Sequence, residues 1–397
     1  MANTKKAQDN ILQLMMQFND FPIDYDPDFK KELGIQGDRA KSIFQWSGQF
    51  PPGLAEKLLK KYANKDSVVL DPFCGSGTTL FEAAKLGMEC HGSDINPAAV
   101  KLAETVMFCN VGKNKRKACL DSAKGIIEDA FPGKHGNIEG KDTAILKGLL
   151  DNAADDDLVH SIIMNALMRF SISKNRNGIN GLYEAFETHR NLVMSLPYCS
   201  KKCIVAREDA RDMSMKDSSV DLVLTSPPYI GSFDYYRNYK HAMWIAGYNI
   251  TWAKDREIGG TFGITQVQYG IQKYAEDMCM SLIEMKRVLK EKGRMIIVIG
   301  RESEAGRTKI RTSAMIYALA VGACGLNLLL RQERETKNRR GNRTMEDILH
   351  FSISKKVPEA SLEFLNGISH RIAESAMEKI RPGRDSNPGL NRDRVTC

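Results

Sequence analysis

The stretch that decides the fold is "SVVLDPFCGSGTTLFEAAKLG", residues 67–87. Its first seven residues are mostly apolar and rich in branched side chains, which predicts a short buried strand. Gly75 and Gly77 then predict a tight turn, and the residues after them predict a helix that ends at Gly87. A strand that enters a helix through a glycine-rich turn is typical of α/β folds.

The same alternation of strand and helix continues along the chain. Pro97 predicts the first turn of a second helix, because proline is tolerated there. Residues 275–293 have helical spacing and predict a helix capped by Gly293. We therefore predict an α/β fold with a doubly wound, mostly parallel sheet. The predicted strands span residues 67–73, 89–96, 203–209, 220–224, 294–300, 326–334 and 347–354.

A long segment interrupts the alternation and predicts an insertion. Its apolar residues recur at helical spacing, and a crossover between parallel strands needs only about a dozen residues. We therefore predict an inserted, mainly helical subdomain. The predicted divisions are 1–109 for the N-terminal segment and first half of the catalytic domain, 110–203 for the insertion, 204–357 for the second half, and 358–397 for a C-terminal helix and mobile tail.

Composition narrows the class of protein. Hydrophobic residues at 42% and charged residues at 27% are ordinary for a soluble globular chain, and the net charge of +8 suits a polyanionic partner. Nine cysteines, an odd number at scattered positions, predict reduced thiols in the cytoplasm. Cys199 and Cys203 lack a second pair with metal-ligand spacing, so we predict no metal site.

One apolar segment has almost the length of a membrane span. Residues 313–330, "SAMIYALAVGACGLNLLL", contain two glycines, a serine and an asparagine. The break around residues 322–327 predicts a buried helix followed by a strand. The first ten residues have no apolar signal region, and we predict no membrane partner.

Acidic residues follow the strands where ligands bind in such sheets, at the carboxyl ends. Gly75 and Gly77 let a ligand approach the backbone, and the helix start offers free N–H groups. Asp94 ends the second predicted strand and could accept hydrogen bonds from both hydroxyls of a ribose. Asp209 ends the third and could accept from an adenine amino group. The alternative for both acids is a helix cap.

The segment "TSPPY", residues 225–229, follows the fourth predicted strand directly. Its two prolines remove two backbone donors and fix two φ angles. This predicts a stiff loop that presents a hydroxyl, bare carbonyls and an aromatic ring. The alternative is a structural turn, since Ser and Pro are common turn residues.

Taken together, these segments resemble the N4-cytosine/N6-adenine DNA methylases, which use S-adenosylmethionine (AdoMet). "DPFCGSGTT" looks like the AdoMet-binding motif I, Asp94 like the acidic end of motif II, "EDAR" like motif III and "TSPPY" like catalytic motif IV. Residues 44–59, "FQWSGQFPPGLAEKLL", are similar to the segment that completes the AdoMet pocket. The resemblance implies a Rossmann-like methyltransferase sheet and AdoMet as cofactor. The implied cofactor-binding residues are Phe50, Asp71, Pro72, Phe73, Gly75, Gly77, Thr78, Asp94, Ile95, Asp209 and Ala210.

The resemblance also implies a catalytic role for Ser226, Pro227, Pro228 and Tyr229. An exocyclic amino nitrogen is a poor nucleophile because its lone pair is delocalised into the ring. The Ser226 hydroxyl and Pro227 carbonyl would hold its N–H groups, and Tyr229 would stack on a base flipped out of the helix. In the family that this chain resembles, serine directly before the two prolines is associated mainly with N4-cytosine enzymes.

The implied partner is double-stranded DNA, and a companion restriction endonuclease would act on the same site. Alternatives are N6-adenine methylation, a tRNA or rRNA base-amino methyltransferase, and a non-catalytic DNA-binding descendant. The insertion would recognise the target sequence, or else serve dimerisation or form a structural cap. Basic and aromatic residues predict the DNA contacts. These residues are Tyr235, Tyr236, Arg237, Lys240, Arg339 and Arg340. The alternatives are an amphipathic helix that packs its aromatic face and, for the basic residues 337–343, a solvated loop.

Overall fold

The computed structural model describes residues 11–25, 43–44, 46, 51–132, 143–172, 178–230, 239–260, 266–305, 308–337, 343–354 and 377–379. Several predictions concern other parts of the chain. The helix predicted after Pro358 lies outside the described residues, apart from a short strand at 377–379. Six predicted site residues also lie outside them, namely Phe50, Tyr235, Tyr236, Arg237, Arg339 and Arg340.

A seven-stranded sheet forms the centre of the fold, in the order β3-β2-β1-β4-β5-β9-β8. Strands β1 to β5 run parallel, whereas β9 is antiparallel to both β5 and β8. Strands β2 and β3 are added on one side of β1, and β4 and β5 are added on its other side. This change of direction makes the sheet doubly wound. The predicted fold class is confirmed. The strands are β1 (Val68–Asp71), β2 (Glu89–Ser93), β3 (Cys203–Ala206), β4 (Val220–Thr225), β5 (Leu289–Gly300), β8 (Leu326–Lys337) and β9 (Arg343–Ile353).

A separate sheet of three short strands and a set of helices complete the described part. The small sheet has the order β10-β7-β6, with β6 (Ser303–Ala305), β7 (Thr308–Ile310) and β10 (Met377–Lys379). The helices are α1 (Pro52–Tyr62), α2 (Thr78–Lys85), α3 (Pro97–Ala103), α4 (Lys113–Ala130), α5 (Thr143–Asp151), α6 (Asp157–Ile172), α7 (Gly178–Ser195), α8 (Lys240–Ile245), α9 (Ile250–Lys254), α10 (Val267–Val288) and α11 (Thr312–Gly322).

Two hydrophobic cores lie on the two faces of the large sheet. Side chains alternate between faces along a strand, so Leu222 and Leu224 of β4 belong to one core and Val223 to the other. The first core includes buried residues of α1, α2 and the inserted helices. The second includes residues of α10, α11 and the helical segment 11–17.

The helix predicted to end at Gly293 ends at Val288 instead. Leu289 already belongs to β5, where it pairs with Val220. Gly293 therefore lies inside a strand, and a Cβ there would lie 2.6 Å from Leu289 Cδ1. Residues 289–292 have helical spacing, but they form part of a strand because pairing with β4 gives them hydrogen bonds. The spacing of residues in the sequence does not reveal that pairing.

The segment predicted as a helix followed by a strand forms α11 and then β8. Gly325, between the two elements, has φ of 67°, a conformation that glycine adopts without strain. In the described ranges, no helix has the length and apolar character needed to cross a membrane.

The inserted segment is helical, as α4 to α7. Buried Leu146, Leu167 and Phe186 of these helices belong to the same core as Val69 of β1. Its helices thus extend the apolar layer on one face of the sheet. The division of the chain into domains stays a prediction.

Arg116 ties the beginning of the insertion to its end. Its side chain is fully buried and donates to the carbonyl oxygens of Val111, Val193, Leu196 and Pro197. Replacing Arg116 with alanine removes every one of these donors from a buried site. We expect Arg116→Ala to lower the free energy of unfolding by about 3 kcal/mol or more, measured by urea denaturation.

The neighbouring Lys117 on the same helix is exposed and provides the control. Lys117→Ala should change the free energy of unfolding by less than about 0.5 kcal/mol. Equal losses in the two variants would mean that the buried hydrogen bonds of Arg116 do not decide the stability of the insertion.

Candidate active site

The predicted ligand-binding residues meet at one edge of the large sheet. Strands β2, β1 and β4 are neighbours and parallel, so their carboxyl ends lie side by side. Asp71 ends β1, Asp94 follows β2, and Ser226 follows β4. The structure thus brings the glycine-rich turn, the acid after β2 and the SPPY loop together.

The glycine-rich turn has the conformation that its sequence predicts. Gly75 has φ of 52° and Gly77 has φ of 91°, a region that costs other residues about 1–2 kcal/mol. Gly77 forms the N-cap of α2, whose first residue is the buried Thr78. A Cβ on Gly77 would lie 3.2 Å from the Cα of Ala103 in α3. A side chain at this position would therefore require the turn or α3 to shift by a few tenths of an ångström.

Asp94 connects this turn to the end of β2. One carboxylate oxygen accepts from the Gly75 N–H at 3.0 Å, and the other accepts from the Asn96 N–H at 2.9 Å. Asn96 forms the N-cap of α3 by accepting from the Ala98 N–H. The alternative that Asp94 caps this helix is therefore wrong. Each carboxylate oxygen has two lone pairs, which leaves capacity for a ligand.

Desolvation raises the pKa of Asp94 to about 6, and the nearby charge of Asp71 adds to this, while the N–H groups of Asn96 and Gly75 oppose it. The acid is therefore half protonated near pH 6 and ionised at neutral pH. Only the carboxylate offers every lone pair to hydroxyl donors.

We expect the AdoMet affinity of the protein to fall as the pH drops through about 6, by roughly tenfold per pH unit below the pKa of Asp94. The reason is that protonation removes the charge and an acceptor site. Calorimetric titration between pH 5 and 8 measures this, with circular dichroism confirming the fold at each pH. Asp94→Asn lacks this carboxyl group and should bind weakly with a flatter pH dependence, to which only the neighbouring Asp71, whose pKa burial also raises to about 6, still contributes. An unchanged pH profile in Asp94→Asn would contradict the assignment.

Asp71 joins the glycine-rich turn to the SPPY loop. Its Oδ1 accepts from the Thr225 hydroxyl at 2.6 Å and from the Phe73 N–H at 3.2 Å. Burial raises the pKa of Asp71 to about 6, against the opposing hydrogen bonds of Thr225, Thr79 and Phe73. Sequence reasoning missed Thr225, although it is the first residue of the TSPPY motif. The predicted contact of Asp71 with the cofactor stays a prediction.

Two tyrosine hydroxyls fix the SPPY loop. Tyr274 of α10 donates to the Pro228 carbonyl at 2.9 Å. Tyr229 donates to Glu346 of β9 at 3.0 Å. Pro227 is buried, and Ser226 is partly exposed at the edge of the sheet. The loop is therefore held at its prolines and its tyrosine while the serine stays accessible.

The predicted adenine contact, Asp209, has a strong partner within the protein. Arg211 Nη2 lies 2.6 Å from Asp209 Oδ2, and Arg211 also pairs with Asp277. Burial opposes ionisation of Asp209, but the hydrogen bonds from Arg211 outweigh it and lower the pKa. Ala210 is buried beside it. The carboxylate is therefore ionised and fixed, and its role toward adenine stays a prediction.

Trp46 lies against the glycine-rich turn and was missed as a site residue. A Cβ on Gly75 would lie 2.9 Å from Trp46 Nε1. The indole stacks on Tyr239 with ring centroids 5.6 Å apart. Trp46 thus links the turn to the chain segment after the SPPY loop. Trp46 could have been found from the sequence, because it is an aromatic residue in the segment 44–59. From that segment, only Phe50 was predicted to bind the cofactor.

Exposed aromatic and basic side chains lie on α8, α9 and the end of β3. Trp252 is 41% exposed and lies between two guanidinium groups, with Arg207 4.7 Å and Arg256 4.5 Å from its ring. Trp244 is 62% exposed, and Lys240, a predicted DNA contact, is also exposed. This surface has the composition of nucleic-acid-binding surfaces.

Comparison with known proteins supports the resemblance over the first part of the chain. The profile of a family described as DNA methylase matches residues 19–105. The match supports the resemblance of this segment to the DNA amino-methyltransferases. A second profile, described as methyltransferase domain, matches residues 63–176.

Individual relatives match over short segments. The type II methyltransferase M.MjaII of Methanocaldococcus jannaschii is 37% identical over 104 residues, 25% of this chain and 19% of the relative. A ribosomal protein L11 methyltransferase of Clostridium botulinum is 39% identical over 79 residues, 20% of this chain and 24% of the relative. The chain thus spans about a fifth of the curated relatives it matches. A solved structure of a SAM-dependent methyltransferase from Methanosarcina mazei is 14% identical in sequence, with a TM-score of 0.36. The match covers 75% of this chain and 97% of the chain in that structure.

The two methyltransferase profiles that match residues 19–105 and 63–176 imply AdoMet as the cofactor. The residues present fit its adenosyl part. The turn with positive φ angles at Gly75 and Gly77 has no side chains at these two positions, so a ligand can approach its backbone closely, and Asp94 has unused lone pairs for hydroxyl donors. Phe73 and Ile95 are partly exposed beside them and offer apolar surface. Within the described ranges, no three His, Cys, Asp or Glu side chains form a group that could hold a metal ion.

Proposed function

We propose that the protein is a site-specific DNA methyltransferase that transfers a methyl group from AdoMet to an exocyclic amino group, the N4 of cytosine, in duplex DNA. The observation that carries this proposal is the hydrogen bond from Thr225 to Asp71, which fixes the SPPY loop beside the glycine-rich turn. A methyl donor bound at that turn would lie next to Ser226. Such an enzyme would act in the cytoplasm, beside a restriction endonuclease for the same site.

Methyl transfer requires hydrogen-bond acceptors that make the exocyclic amino nitrogen more nucleophilic. AdoMet supplies a methyl group on a sulfonium centre. Ser226 Oγ and the Pro227 carbonyl would accept hydrogen bonds from the two amino hydrogens, which favours a pyramidal nitrogen with its lone pair directed outward. Most of the rate gain then comes from positioning and preorganised dipoles.

The rigidity of the loop supports this role. Pro227 and Pro228 fix their φ angles, and Tyr274 holds the Pro228 carbonyl. A loop fixed in this way does not reorganise when charge develops on the amino nitrogen. The ring of Tyr229, partly exposed beside Ser226, would stack on a cytosine rotated out of the duplex.

The exposed surface around Trp252 supports a nucleic-acid partner. Arg207 and Arg256 could contact phosphates, and Trp244 and Trp252 offer rings for stacking. Lys240 lies on α8 in the same region of the chain. The net charge of +8 favours association with a polyanion at low ionic strength.

Methyl transfer from labelled AdoMet into duplex DNA and, separately, into tRNA tests the proposal. The products are digested to nucleosides and identified by mass. We expect N4-methylcytosine from duplex DNA. N6-methyladenine would keep the reaction type but overturn the assignment of the base. Label only in tRNA would overturn the DNA substrate, and no label in either would overturn the proposed activity on nucleic acids.

A further inference from the structure

Arg169 lies in the insertion, on α6, and contacts a short part of the chain that precedes α1. Its Nη2 donates to the Ile43 carbonyl at 3.2 Å, and its guanidinium carbon lies 4.6 Å from the centroid of the Phe44 ring. One side chain thus holds this part of the chain by a hydrogen bond and by a cation–π contact. We call Ile43, Phe44 and Trp46 the pre-α1 residues.

The pre-α1 residues connect Arg169 with the glycine-rich turn. The Trp46 N–H donates to the Phe44 carbonyl at 3.0 Å, which fixes these two residues relative to each other. The Trp46 indole lies against the turn, because a Cβ on Gly75 would be 2.9 Å from its Nε1. The indole therefore fills the space beside Gly75 and covers one side of the turn on which AdoMet is expected to bind.

Phe44 makes a second connection to the same turn. Its ring centroid lies 6.2 Å from that of Phe81 on α2, and both residues are buried. The Phe81 ring in turn lies 3.4 Å from the position that a Cβ on Gly77 would take. Interior side chains have few voids to move into. A shift of Phe44 would therefore reach the turn by two routes, one through Trp46 and one through Phe81.

The helix that carries Arg169 has a fixed position on the catalytic part of the chain. Asn165, one turn earlier on α6, is fully buried and donates to the Lys101 carbonyl of α3 at 2.9 Å. The insertion is thereby docked on the helix that follows Asp94. Arg169 thus extends from a fixed helix toward the pre-α1 residues.

The guanidinium of Arg169 is largely removed from water. Burial lowers its pKa to about 10, so the group stays charged at neutral pH. Its Nε is buried and has no hydrogen-bond partner among the described residues. A buried cation is costly unless other groups compensate it. The Ile43 carbonyl and the Phe44 ring supply such compensation, which favours one position of the pre-α1 residues.

We propose that Arg169 is a positioning residue for AdoMet binding, which holds the pre-α1 residues against the glycine-rich turn. The insertion then supports one wall of the cofactor site, whatever its role toward the target sequence. This inference rests on the proposed function only through the cofactor, and not through the base that is methylated.

The AdoMet Kd of Arg169→Met, measured by calorimetric titration, tests this role. Methionine keeps an unbranched apolar stem but removes the charge and the donor, so we expect the AdoMet Kd to rise by about tenfold. Arg190→Met is the matched control, because the ion pairs of Arg190 with Asp121 and Glu187 stay within the insertion. Its AdoMet Kd should stay within about twofold of the wild type. Unchanged binding in Arg169→Met, or an equal loss in both variants, would overturn the proposal.

Phe44→Leu approaches the same contact from its other side. It should also raise the AdoMet Kd, so the proposal stays testable even if Arg169→Met does not fold. The double variant should bind AdoMet no more weakly than the weaker of the two single variants, because both substitutions remove one contact. Strictly multiplicative losses would mean that Arg169 does not act through Phe44, and would overturn the proposal.

A measurement without cofactor reports on the pre-α1 residues directly. The three tryptophans are replaced by 5-fluorotryptophan, and the ¹⁹F resonance of Trp46 is assigned by its absence in Trp46→Phe. We expect this resonance to shift in Arg169→Met but not in Arg190→Met. An unmoved resonance would overturn the connection between Arg169 and Trp46. A shifted resonance and weak AdoMet binding in Arg169→Met, in a protein that methylates neither DNA nor tRNA, would overturn the proposed function and support this inference.

Discussion

Ser226→Ala should lower kcat for methyl transfer by about 10²- to 10³-fold, the range for loss of one preorganised hydrogen-bonding group at a reacting atom. The physical reason is that alanine cannot accept an amino hydrogen, so the lone pair of the target nitrogen stays in the ring. The AdoMet Kd should change by less than about twofold, since Asp94 and the glycine-rich turn remain intact. Single-turnover methylation and calorimetry measure the two quantities separately.

Ser219→Ala provides the control at the other end of the same strand. Ser219 is partly exposed, directly precedes β4, and donates to the Lys216 carbonyl at 2.6 Å. The same atom is deleted, yet kcat should stay within about twofold of the wild type. A Ser226→Ala enzyme with nearly full kcat would mean that the Pro227 carbonyl alone directs the amino group. An equal loss of kcat in both variants would mean that a disturbance of strand β4, and not the absence of the Ser226 hydroxyl, lowers the rate.

Sequence alone predicts the local parts of this site because glycine and proline act locally. Gly75, Gly77 and the two prolines of the SPPY loop each restrict φ or permit a positive φ whatever the rest of the fold does. Alternating strands and helices also predict the sheet. Residues at the carboxyl ends of parallel strands then share one edge, which is why Asp94 and Ser226 could be placed together.

Contacts between segments that are distant along the chain could not be predicted from the sequence. Thr225 bonds to Asp71 across 154 positions, and Tyr229 bonds to Glu346 across 117. Neither contact leaves a periodic pattern, since each depends on which strands become neighbours. Glu346 is one of many acidic residues on a strand, and only the pairing of β9 with β5 brings it to the loop.

One alternative and one prediction were wrong at the ends of helices. Asp94 and Asn96 both suit a helix cap, and the backbone gives that role to Asn96, two residues before Ala98. The helix expected to reach Gly293 ends at Val288 because strand pairing begins at Leu289. In both cases the type of element was predicted correctly and its boundary was decided by the fold.

The glycines at the two ends of α2 allow a test of the turn itself. Gly77 and Gly87 both have positive φ, 91° and 74°, so alanine should strain the backbone by about 1–2 kcal/mol at either position. Their surroundings differ. A Cβ on Gly77 meets Ala103 at 3.2 Å, whereas a Cβ on Gly87 has nothing within 4 Å.

Gly77→Ala should therefore weaken AdoMet binding by on the order of 100-fold, because relief of the contact with Ala103 moves the turn that would lie against the ligand and carries the Gly75 N–H bonded to Asp94. Gly87→Ala should lose a similar amount of stability from strain alone and keep its AdoMet Kd within about twofold. Calorimetric titration with AdoMet and urea unfolding of both variants measure the two effects. Equal weakening of AdoMet binding in both variants would mean that strain in α2, and not the turn at Gly77, controls the affinity. Unchanged binding in Gly77→Ala would place the cofactor away from this turn and remove the basis for its alignment with Ser226.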